Sequence, residues 1–259
     1  MRLIALIPTY NNATTVCGVV RRTLAVCHDV MVVDDGSTDD TLQRLRQELP
    51  AGSFHLVTYP ANRGKGGALR AGISEARRLH FTHVLTLDAD GQHYPEDAPR
   101  LIEASREHPE AIIVGTRSFA DGNMPGGSRF ANRFSNFWFA VQTLRRLPDT
   151  QTGFRIYPLA TTGGLRTLTS RYEAELELLV LSAWRGTPIL PIGVRVFYPA
   201  PSERVSHFRP RADFLRITVL NTVLCFLAVG YGWPRMLITA ISRRLRAATR
   251  RPGTGTEPQ

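Results

Sequence analysis

The chain has 259 residues, of which 43% are hydrophobic, and it carries a formal net charge of +10 at pH 7. This composition is sufficient for a hydrophobic core and predicts one large α/β domain, alone or with an appendage, that meets a polyanionic partner. Three scattered cysteines without a CxxC or Cys/His spacing exclude a disulfide framework, and no basic and apolar leader precedes Leu3, so we expect no signal peptide.

The first 115 residues alternate between strand-like and helix-like patterns. Short apolar runs predict strands at residues 3–8, 30–33, 54–59, 84–87 and 111–115, and amphipathic stretches predict helices at 14–26, 39–49, 66–79 and 96–108. Strands that alternate with helices of this length form βαβ units, which build parallel sheets. The predicted fold class is therefore α/β, with a mainly parallel central sheet flanked by helices.

The loops after the second and third strands carry polar residues suited to a nucleotide. Asp35 could accept hydrogen bonds from a base or a ribose, although a plain turn with a helix cap fits the same residues. Residues 62–67 combine glycines with Arg63 and Lys65. Glycine permits close backbone approach and the two cations attract anions, which favours a diphosphate site over a flexible loop.

A pair of aspartates ends the fourth predicted strand. Val84, Leu85 and Leu87 indicate a buried strand, and Asp88 and Asp90 follow it, at the sheet edge where open α/β folds bind their ligands. Two carboxylates there are costly unless a positive charge pairs with them, and hard oxygen ligands suit Mg²⁺ or Mn²⁺. We expect a divalent cation that holds a diphosphate; a solvated turn is the alternative.

The pattern changes after residue 115. Residues 128–147 interleave aromatic residues with arginines, which predicts either a core-facing helix or a helix in a membrane interface. Residues 171–184 form a further predicted helix. Residues 189–198 are typical of an edge strand, because Pro188 and Pro191 interrupt its pairing.

An uncharged segment of about 18 residues, near the minimum for a spanning helix, lies between Arg216 and Arg235. It is either one marginal span or two short interfacial helices, and we favour interfacial attachment. Basic residues flank it on both sides, at positions 209, 211, 216, 235, 243, 244, 246, 250 and 251. This arrangement favours an anionic membrane surface, and we expect no nucleic-acid partner.

Seven motifs stand in order along the chain, at residues 7–12, 32–39, 62–68, 88–92, 115–117, 152–155 and 206–209. This set resembles the family 2 glycosyltransferases of the GT-A fold, and the motifs are most similar to those of dolichyl- and polyprenyl-phosphate sugar synthases. The resemblance implies a GT-A, Rossmann-like domain at 1–210. The apolar segment and its flanking charges predict a membrane-associated helical appendage at 211–246, and the composition of the C-terminal end predicts a disordered tail at 247–259.

The resemblance also implies residue roles. The base and ribose contacts would be Pro8, Tyr10, Asn12, Val33 and Asp35, although relatives often carry Glu at the position of Asn12. Lys65 and Ala89 would lie along the donor, and the metal set would be Asp88, Asp90 and Gln92. Arg117 and Arg129 would neutralise the leaving group or bind an acceptor phosphate, and the contacts that close over the donor phosphates would come from Arg204, His207 and Arg209.

The predicted reaction is an inverting, metal-dependent transfer of one sugar from a nucleoside diphosphate donor, GDP-mannose or a UDP-hexose, to a lipid acceptor. Polyprenyl phosphate is the expected acceptor, and a hydroxyl of another membrane lipid or hydrophobic metabolite is the alternative. A hydroxyl would need a general base, for which we select Glu175; an ionised phosphate would not. An acidic first helical turn explains Glu175 equally well.

Two other classes of protein fit parts of the pattern. A nucleotidyltransferase would share the nucleotide half and the aspartates, but its N-terminal glycine-rich loop is missing. A non-catalytic membrane-binding module would not require the Asp88, Asp90 and Gln92 set. The QxxRW motif of processive polysaccharide synthases is also missing. We therefore expect a glycosyltransferase at the cytoplasmic face of the cell membrane, held there as a peripheral or monotopic protein.

Overall fold

The computed structural model describes residues 1–117, 126–165, 167–198 and 210–249. Its strands are β1 (Leu3–Thr9), β2 (Val30–Asp34), β3 (His55–Thr58), β4 (His83–Thr86), β5 (Ile112–Arg117), β6 (Arg155–Pro158) and β7 (Ile189–Val194). They form one sheet in the order β3-β2-β1-β4-β6-β5-β7. The predicted α/β class is confirmed, and β7 lies at the edge of the sheet as its prolines predict.

Helices connect and cover these strands. They are α1 (Val16–Leu24), α2 (Thr41–Glu48), α3 (Lys65–Arg78), α4 (Ala98–Glu107), α5 (Gly126–Thr143), α6 (Leu159–Thr162), α7 (Glu173–Trp184), α8 (Pro210–Leu227) and α9 (Trp233–Thr249). A short 3-10 turn, Pro95–Asp97, leads into α4. A π-helical turn, Ala228–Gly232, joins α8 to α9.

Strand β6 interrupts the parallel order and was not predicted. It pairs antiparallel with both β4 and β5, whereas the other pairings are parallel. Its sequence, Arg-Ile-Tyr-Pro, has neither an apolar run nor a clean alternation, although all four residues are buried. A four-residue strand that begins with a buried arginine leaves too weak a pattern to be identified from the sequence.

The two faces of the sheet carry different helices. Val16 of α1 and Leu101 of α4 pack on one face, together with α2. Leu69 of α3 packs on the other face. Phe139 of α5, Leu179 of α7 and the C-terminal helix complete that second face.

The C-terminal segment forms one continuous helical path rather than two separate helices. Its apolar part, Leu215–Ser242, is long and apolar enough to cross a membrane by length and composition. One side is buried against α5 and α7 through Leu220, Leu224 and Ala228. The other side exposes large apolar residues, among them Leu215, Val219, Phe226, Val229, Leu237, Ile238 and Ile241. The predicted tail lies mostly outside the described residues.

Helix α5 faces the core along one side, as one interpretation of residues 128–147 predicts, and its place in a membrane interface stays a prediction. Phe139 is fully buried in the core between α5 and α7. Phe130 and Phe137 are exposed, at 66% and 58%. The helix is therefore anchored in the core along one side and presents aromatic residues to its surroundings along the other.

Candidate active site

The candidate site forms where neighbouring parallel strands end. Strand β1 lies between β2 and β4, so the loops that follow Thr9, Asp34 and Thr86 open at one edge of the sheet. Pro8 is paired with Val33 in register, and both are buried. Parallel pairing therefore brings the predicted nucleotide and cation residues, from three chain segments distant in sequence, to the carboxyl end of the sheet.

Two further predicted nucleotide residues shape the loop after β1. Tyr10 is half-buried. Asn12 is buried, and its amide donates to the Thr9 hydroxyl at 3.3 Å and to the Tyr10 carbonyl at 3.1 Å. The Asn12 backbone N–H donates to the Thr41 hydroxyl at 2.9 Å. Asn12 thus holds the turn between β1 and α1 in place.

Asp35 fastens the loop after β3 to the end of β2. Its carboxylate accepts the backbone N–H of Arg63 at 3.0 Å and that of Gly64 at 2.7 Å. Burial raises the pKa of Asp35, outweighing these hydrogen bonds, which lower it. The neighbouring Asp34 has a buried Oδ1 with no hydrogen-bond partner among the described residues. Asp34 Oδ1 is therefore a buried acceptor beside the predicted nucleotide site.

The glycines of residues 62–67 serve close packing. A Cβ placed on Gly66 would lie 2.3 Å from the Cβ of Ala174, and one on Gly64 would lie 2.6 Å from the Ser170 carbonyl oxygen. Gly67 donates its backbone N–H to that same carbonyl at 3.0 Å. The glycines thus let the start of α3 dock on the start of α7. The sequence interpretation as a phosphate cradle gave no hint of this contact.

Docking of α3 on α7 brings Lys65, Asp88 and Glu175 together. Lys65 Nζ lies 2.6 Å from Asp88 Oδ1 and 2.7 Å from Glu175 Oε2. Burial works to lower the pKa of Lys65, but the two carboxylates raise that pKa above its ordinary value. Burial would raise the pKa of Asp88, and Lys65 holds it below its ordinary value. The cluster is charged, with the ammonium bridging two carboxylates.

Among the described residues, Asp90 lies beside this cluster with no ion pair of its own. Its Oδ1 accepts the backbone N–H of Gln92 at 3.0 Å. Burial and the negative charge of Asp88 raise the pKa of Asp90 to about 6. The intervening Ala89 is buried, and its carbonyl accepts the Thr15 hydroxyl at 2.6 Å. A negative charge on Asp90 is therefore disfavoured beside Asp88, and a bound cation would stabilise it.

The donor set fits a Mg²⁺ or Mn²⁺ ion that is bound with a substrate. Among the described residues, no cluster of three or more His, Cys, Asp and Glu side chains is arranged to hold a metal by itself. Asp88 and Asp90 supply two carboxylates and Gln92 a half-exposed amide. Mg²⁺ is commonly held by one or two carboxylates with water and substrate phosphates in the remaining positions.

His93 and Gly153 also lie against Asp88, and the sequence analysis assigns no role to either. His93 Nε2 lies 4.0 Å from Asp88 Oδ2. Burial, together with the positive charges of Arg117 and Lys65, lowers the pKa of His93 to about 4. These effects outweigh the Asp88 carboxylate, which raises the pKa, so the ring is neutral at pH 7. A Cβ on Gly153 would lie 2.6 Å from Asp88 Oδ2. Asp88 thus lies against His93 and Gly153 as well as Lys65.

Arg155 is a second functional position without an assigned role in the sequence analysis. Its guanidinium is fully buried and donates to the Tyr157 hydroxyl, the Glu175 carbonyl and the Thr150 carbonyl, each at 2.9 Å. Its charge lowers the pKa of Asp88, to a smaller extent than that of Lys65. Arg155 therefore sets the start of α7 and adds positive potential to the site.

Arg117 projects from the end of β5 and is held by a buried acid. Its Nε and Nη2 donate to the two carboxylate oxygens of Asp149 at 2.6 and 2.8 Å. Asp149 is fully buried and also accepts the backbone N–H groups of Gln151 and Thr152. A bidentate pair of this kind fixes the plane of the guanidinium.

The other predicted basic residues are placed differently. Arg129 is exposed on α5, where a groove of about 450 Å³ is lined by Arg129, Phe130, Arg133, Phe134 and Phe137. Arg204, His207 and Arg209 lie outside the described residues, so their predicted closure over the donor remains a prediction. Arg129 and its aromatic neighbours form a basic and apolar surface rather than part of the buried cluster.

Comparison with known proteins decides the family. Residues 4–167 match the family described as glycosyl transferase family 2. The chain belongs to this family. The match includes the strand ends and loops that carry Asp35, Lys65, Asp88 and Asp90, and the chain is accordingly a glycosyltransferase.

Relatives of the chain include two proteins named for undecaprenyl-phosphate and polyprenol. The chain is 29% identical over 242 residues to glycosyltransferase AglJ of Haloferax volcanii, covering 88% of this chain and 76% of that protein. It is 31% identical over 166 residues to the undecaprenyl-phosphate mannosyltransferase of Micrococcus luteus, covering 61% and 66%. It is 32% identical over 168 residues to the polyprenol monophosphomannose synthase of Mycolicibacterium smegmatis, covering 60% and 61%.

Solved structures support the GT-A arrangement. The glucosyl-3-phosphoglycerate synthase of Mycobacterium tuberculosis, crystallised with Mn²⁺, UDP and phosphoglyceric acid, superposes with a TM-score of 0.65 at 18% identity. The superposition covers 88% of this chain and 78% of that one. The same enzyme has also been crystallised with Mg²⁺ and UDP. At 18% identity, this similarity shows only that the chain shares the fold of that enzyme.

Proposed function

We propose that this glycosyltransferase moves one sugar, with inversion, from GDP-mannose or a UDP-hexose to polyprenyl phosphate, using Mg²⁺ or Mn²⁺. The observation that carries the proposal is the placement of Asp88 and Asp90 at the carboxyl end of β4, beside Lys65. Relatives named for undecaprenyl-phosphate and polyprenol substrates support the acceptor. A neighbouring fold crystallised with Mn²⁺ and UDP supports the cation and the nucleotide.

In this proposal, an acceptor phosphate oxygen bonds to the anomeric carbon while the bond from that carbon to the donor diphosphate breaks. Asp88, Asp90 and Gln92 would hold the cation, which supplies charge neutralisation for the departing diphosphate when bound. Pro8, Tyr10, Asn12, Val33 and Asp35 would enclose the base and ribose. Arg117, oriented by Asp149, would receive a phosphate.

The state of Glu175 supports a phosphate acceptor over a hydroxyl. A hydroxyl needs a carboxylate free to take its proton. Glu175 Oε2 is instead engaged by Lys65 at 2.7 Å, and Lys65 also binds Asp88, so the carboxylate is held within the buried cluster. A phosphate acceptor is already ionised and needs no base, so we assign Glu175 the task of holding Lys65.

We further propose that the protein lies on the cytoplasmic face of a membrane with anionic lipids, attached through α5 and the C-terminal helix. Both elements pack on the same face of the sheet. Phe130, Phe137 and Phe226 are exposed there, and Arg129 and Arg133 line the groove on α5. Exposed aromatics beside arginines are typical of interfacial helices. Such attachment would place a lipid acceptor close to the site.

A transfer assay tests the reaction. The purified full chain is mixed with undecaprenyl phosphate in vesicles and a panel of radiolabelled UDP- and GDP-sugars, with Mn²⁺, Mg²⁺ or EDTA. We expect one donor to label the lipid, and the label to be lost with EDTA and in D90N. The matched control is D29N, an acid in the turn that precedes β2, which should retain transfer. Transfer that persists in EDTA and in D90N would contradict the metal assignment.

A further inference from the structure

Lys65 is the charge that compensates Asp88 in the free protein. Its side chain is 15% exposed and its ammonium lies 2.6 Å from Asp88 Oδ1. The first residues of α3, where Lys65 stands, are fixed by the contact of Gly66 with Ala174. The ammonium is therefore directed at Asp88 by packed backbone rather than by a loosely held side chain.

The Asp88 carboxylate is contacted from several sides in this arrangement. Lys65 covers Oδ1, and both oxygens lie against Gly153, where a Cβ would be 2.6 Å from Oδ2 and 2.8 Å from Oδ1. His93 Nε2 lies 4.0 Å from Oδ2. A cation that binds Asp88 would therefore meet the Lys65 ammonium, which lies 2.6 Å from Oδ1.

Glu175 offers Lys65 a second anchor. Its Oε2 lies 2.7 Å from Lys65 Nζ. Its Oε1 is buried and has no hydrogen-bond partner among the described residues. An ammonium has three donors, so Lys65 can leave Asp88 while it stays bound to Glu175 and turns a freed donor toward a phosphate.

Building on the proposed function, we infer that Lys65 occupies the cation's place at Asp88 in the free protein. Divalent cation and nucleoside diphosphate then bind together. A divalent ion on Asp88 and Asp90 would lie within a few ångströms of the ammonium, and like charges at that separation repel strongly in a poorly hydrated site. The diphosphate removes the conflict because its negative oxygens accept both the cation and the displaced lysine.

Binding of the two ligands is therefore coupled through one side chain. Each ligand raises the affinity for the other by the same factor, as linkage requires. Loss of the Lys65 charge should tighten cation binding to the free protein and reduce the gain that a nucleotide brings. This behaviour distinguishes a lysine that the cation displaces from a lysine that only binds phosphate. Loss of a lysine that only binds phosphate would leave cation binding to the free protein unchanged.

The test is Mn²⁺ binding, followed by the loss of the free-ion EPR signal, for the full chain with and without UDP or GDP. Four proteins are compared: wild type, K65M, K65M/E175Q and D88N. The double variant removes one positive and one negative charge, so the net charge of the cluster is the same as in wild type. It separates release of Asp88 from a general change in charge. Circular dichroism establishes that each variant is folded.

We expect K65M and K65M/E175Q to bind Mn²⁺ about tenfold or more tightly than wild type without nucleotide, with a smaller gain on adding UDP or GDP. D88N should not bind in either condition. Equal Mn²⁺ affinities for wild type and K65M/E175Q without nucleotide would overturn the inference and leave the cation site standing. No Mn²⁺ binding by any of the proteins, even with nucleotide, would overturn both the inference and the proposed cation site.

Discussion

Gly66 packs directly on Ala174, so that a Cβ on the glycine would lie 2.3 Å from the Cβ of the alanine. The contact joins α3 to α7 one residue away from Lys65 on one helix and from Glu175 on the other. Because these helices are far apart in sequence, the Lys65–Glu175 ion pair depends on this close approach. The charged cluster thus depends on glycine at position 66, because any larger residue there would hold the two helices apart.

The first prediction concerns this contact. G66A should destabilise the protein by about 1–3 kcal/mol, because the added methyl meets Ala174 and backbone atoms of Ser170 and Arg171 that cannot move aside cheaply. Urea unfolding measures the change. Transferase activity should fall further than stability explains, since Lys65 and Glu175 are displaced relative to each other.

The matched control for G66A is G18A. Gly18 is exposed in α1, and a Cβ there would meet nothing within 4 Å. We expect G18A to stabilise the protein by about 0.5–1 kcal/mol, because alanine is the better helix former. If both variants unfold at the same urea concentration, the contact with Ala174 is not a tight one.

The second prediction concerns Arg117 and Asp149. R117M leaves the fully buried Asp149 carboxylate without its cation and should cost about 3–5 kcal/mol of the free energy of unfolding. R117M/D149N should recover a substantial part of that cost, because asparagine is neutral and its oxygen still accepts backbone N–H groups. Equal unfolding free energies for the single and double variants would show that Asp149 is not charged in the fold.

The third prediction concerns the docking of the C-terminal helix. A Cβ on Gly232 would lie 2.4 Å from the ring of Trp184, which is buried and donates to the Gln142 carbonyl at 2.8 Å. G232A should therefore loosen α9 from α7 and increase its cleavage in limited proteolysis. G230A is the control, because a Cβ there meets nothing within 4 Å. Equal protection of the two variants would contradict this packing.

The fourth prediction concerns the membrane surface. R133E should weaken flotation of the full chain with anionic vesicles, by about 1 kcal/mol or more for each charge lost near the surface. R100E makes the same charge change at an exposed position on α4, which packs on the opposite face of the sheet, and should have little effect. If R100E weakens flotation as much as R133E, net charge rather than α5 governs attachment.

The sequence predicts the parallel strands and their loops well. Strands β1 to β5 each begin or end within two residues of the predicted positions, because buried parallel strands are marked by apolar runs. The aspartates at the end of β2 and just after β4 were therefore predicted at the carboxyl end of the sheet, where the structure has them. Strand β6 was missed, since Arg155 and Pro158 disguise a strand whose buried guanidinium is held by Tyr157, Thr150 and the Glu175 carbonyl.

Contacts between distant segments could not be predicted. Nothing in the sequence pairs Arg117 with Asp149 or Lys65 with Glu175, because the fold rather than a local pattern brings those partners together. The glycines of residues 62–67 were interpreted as a phosphate cradle on their composition. Their packing on Ser170 and Ala174 becomes visible only in three dimensions. The roles proposed for Arg204, His207 and Arg209 stay predictions.

Acceptor choice tests the central claim most directly. With the donor and cation identified, the full chain is offered undecaprenyl phosphate and undecaprenol in otherwise identical vesicles, and labelled lipid is treated with mild acid. We predict label only with undecaprenyl phosphate, in a product that mild acid cleaves. Label on undecaprenol, or an acid-stable product from either lipid, would contradict a phosphate acceptor and would restore a general base to the mechanism.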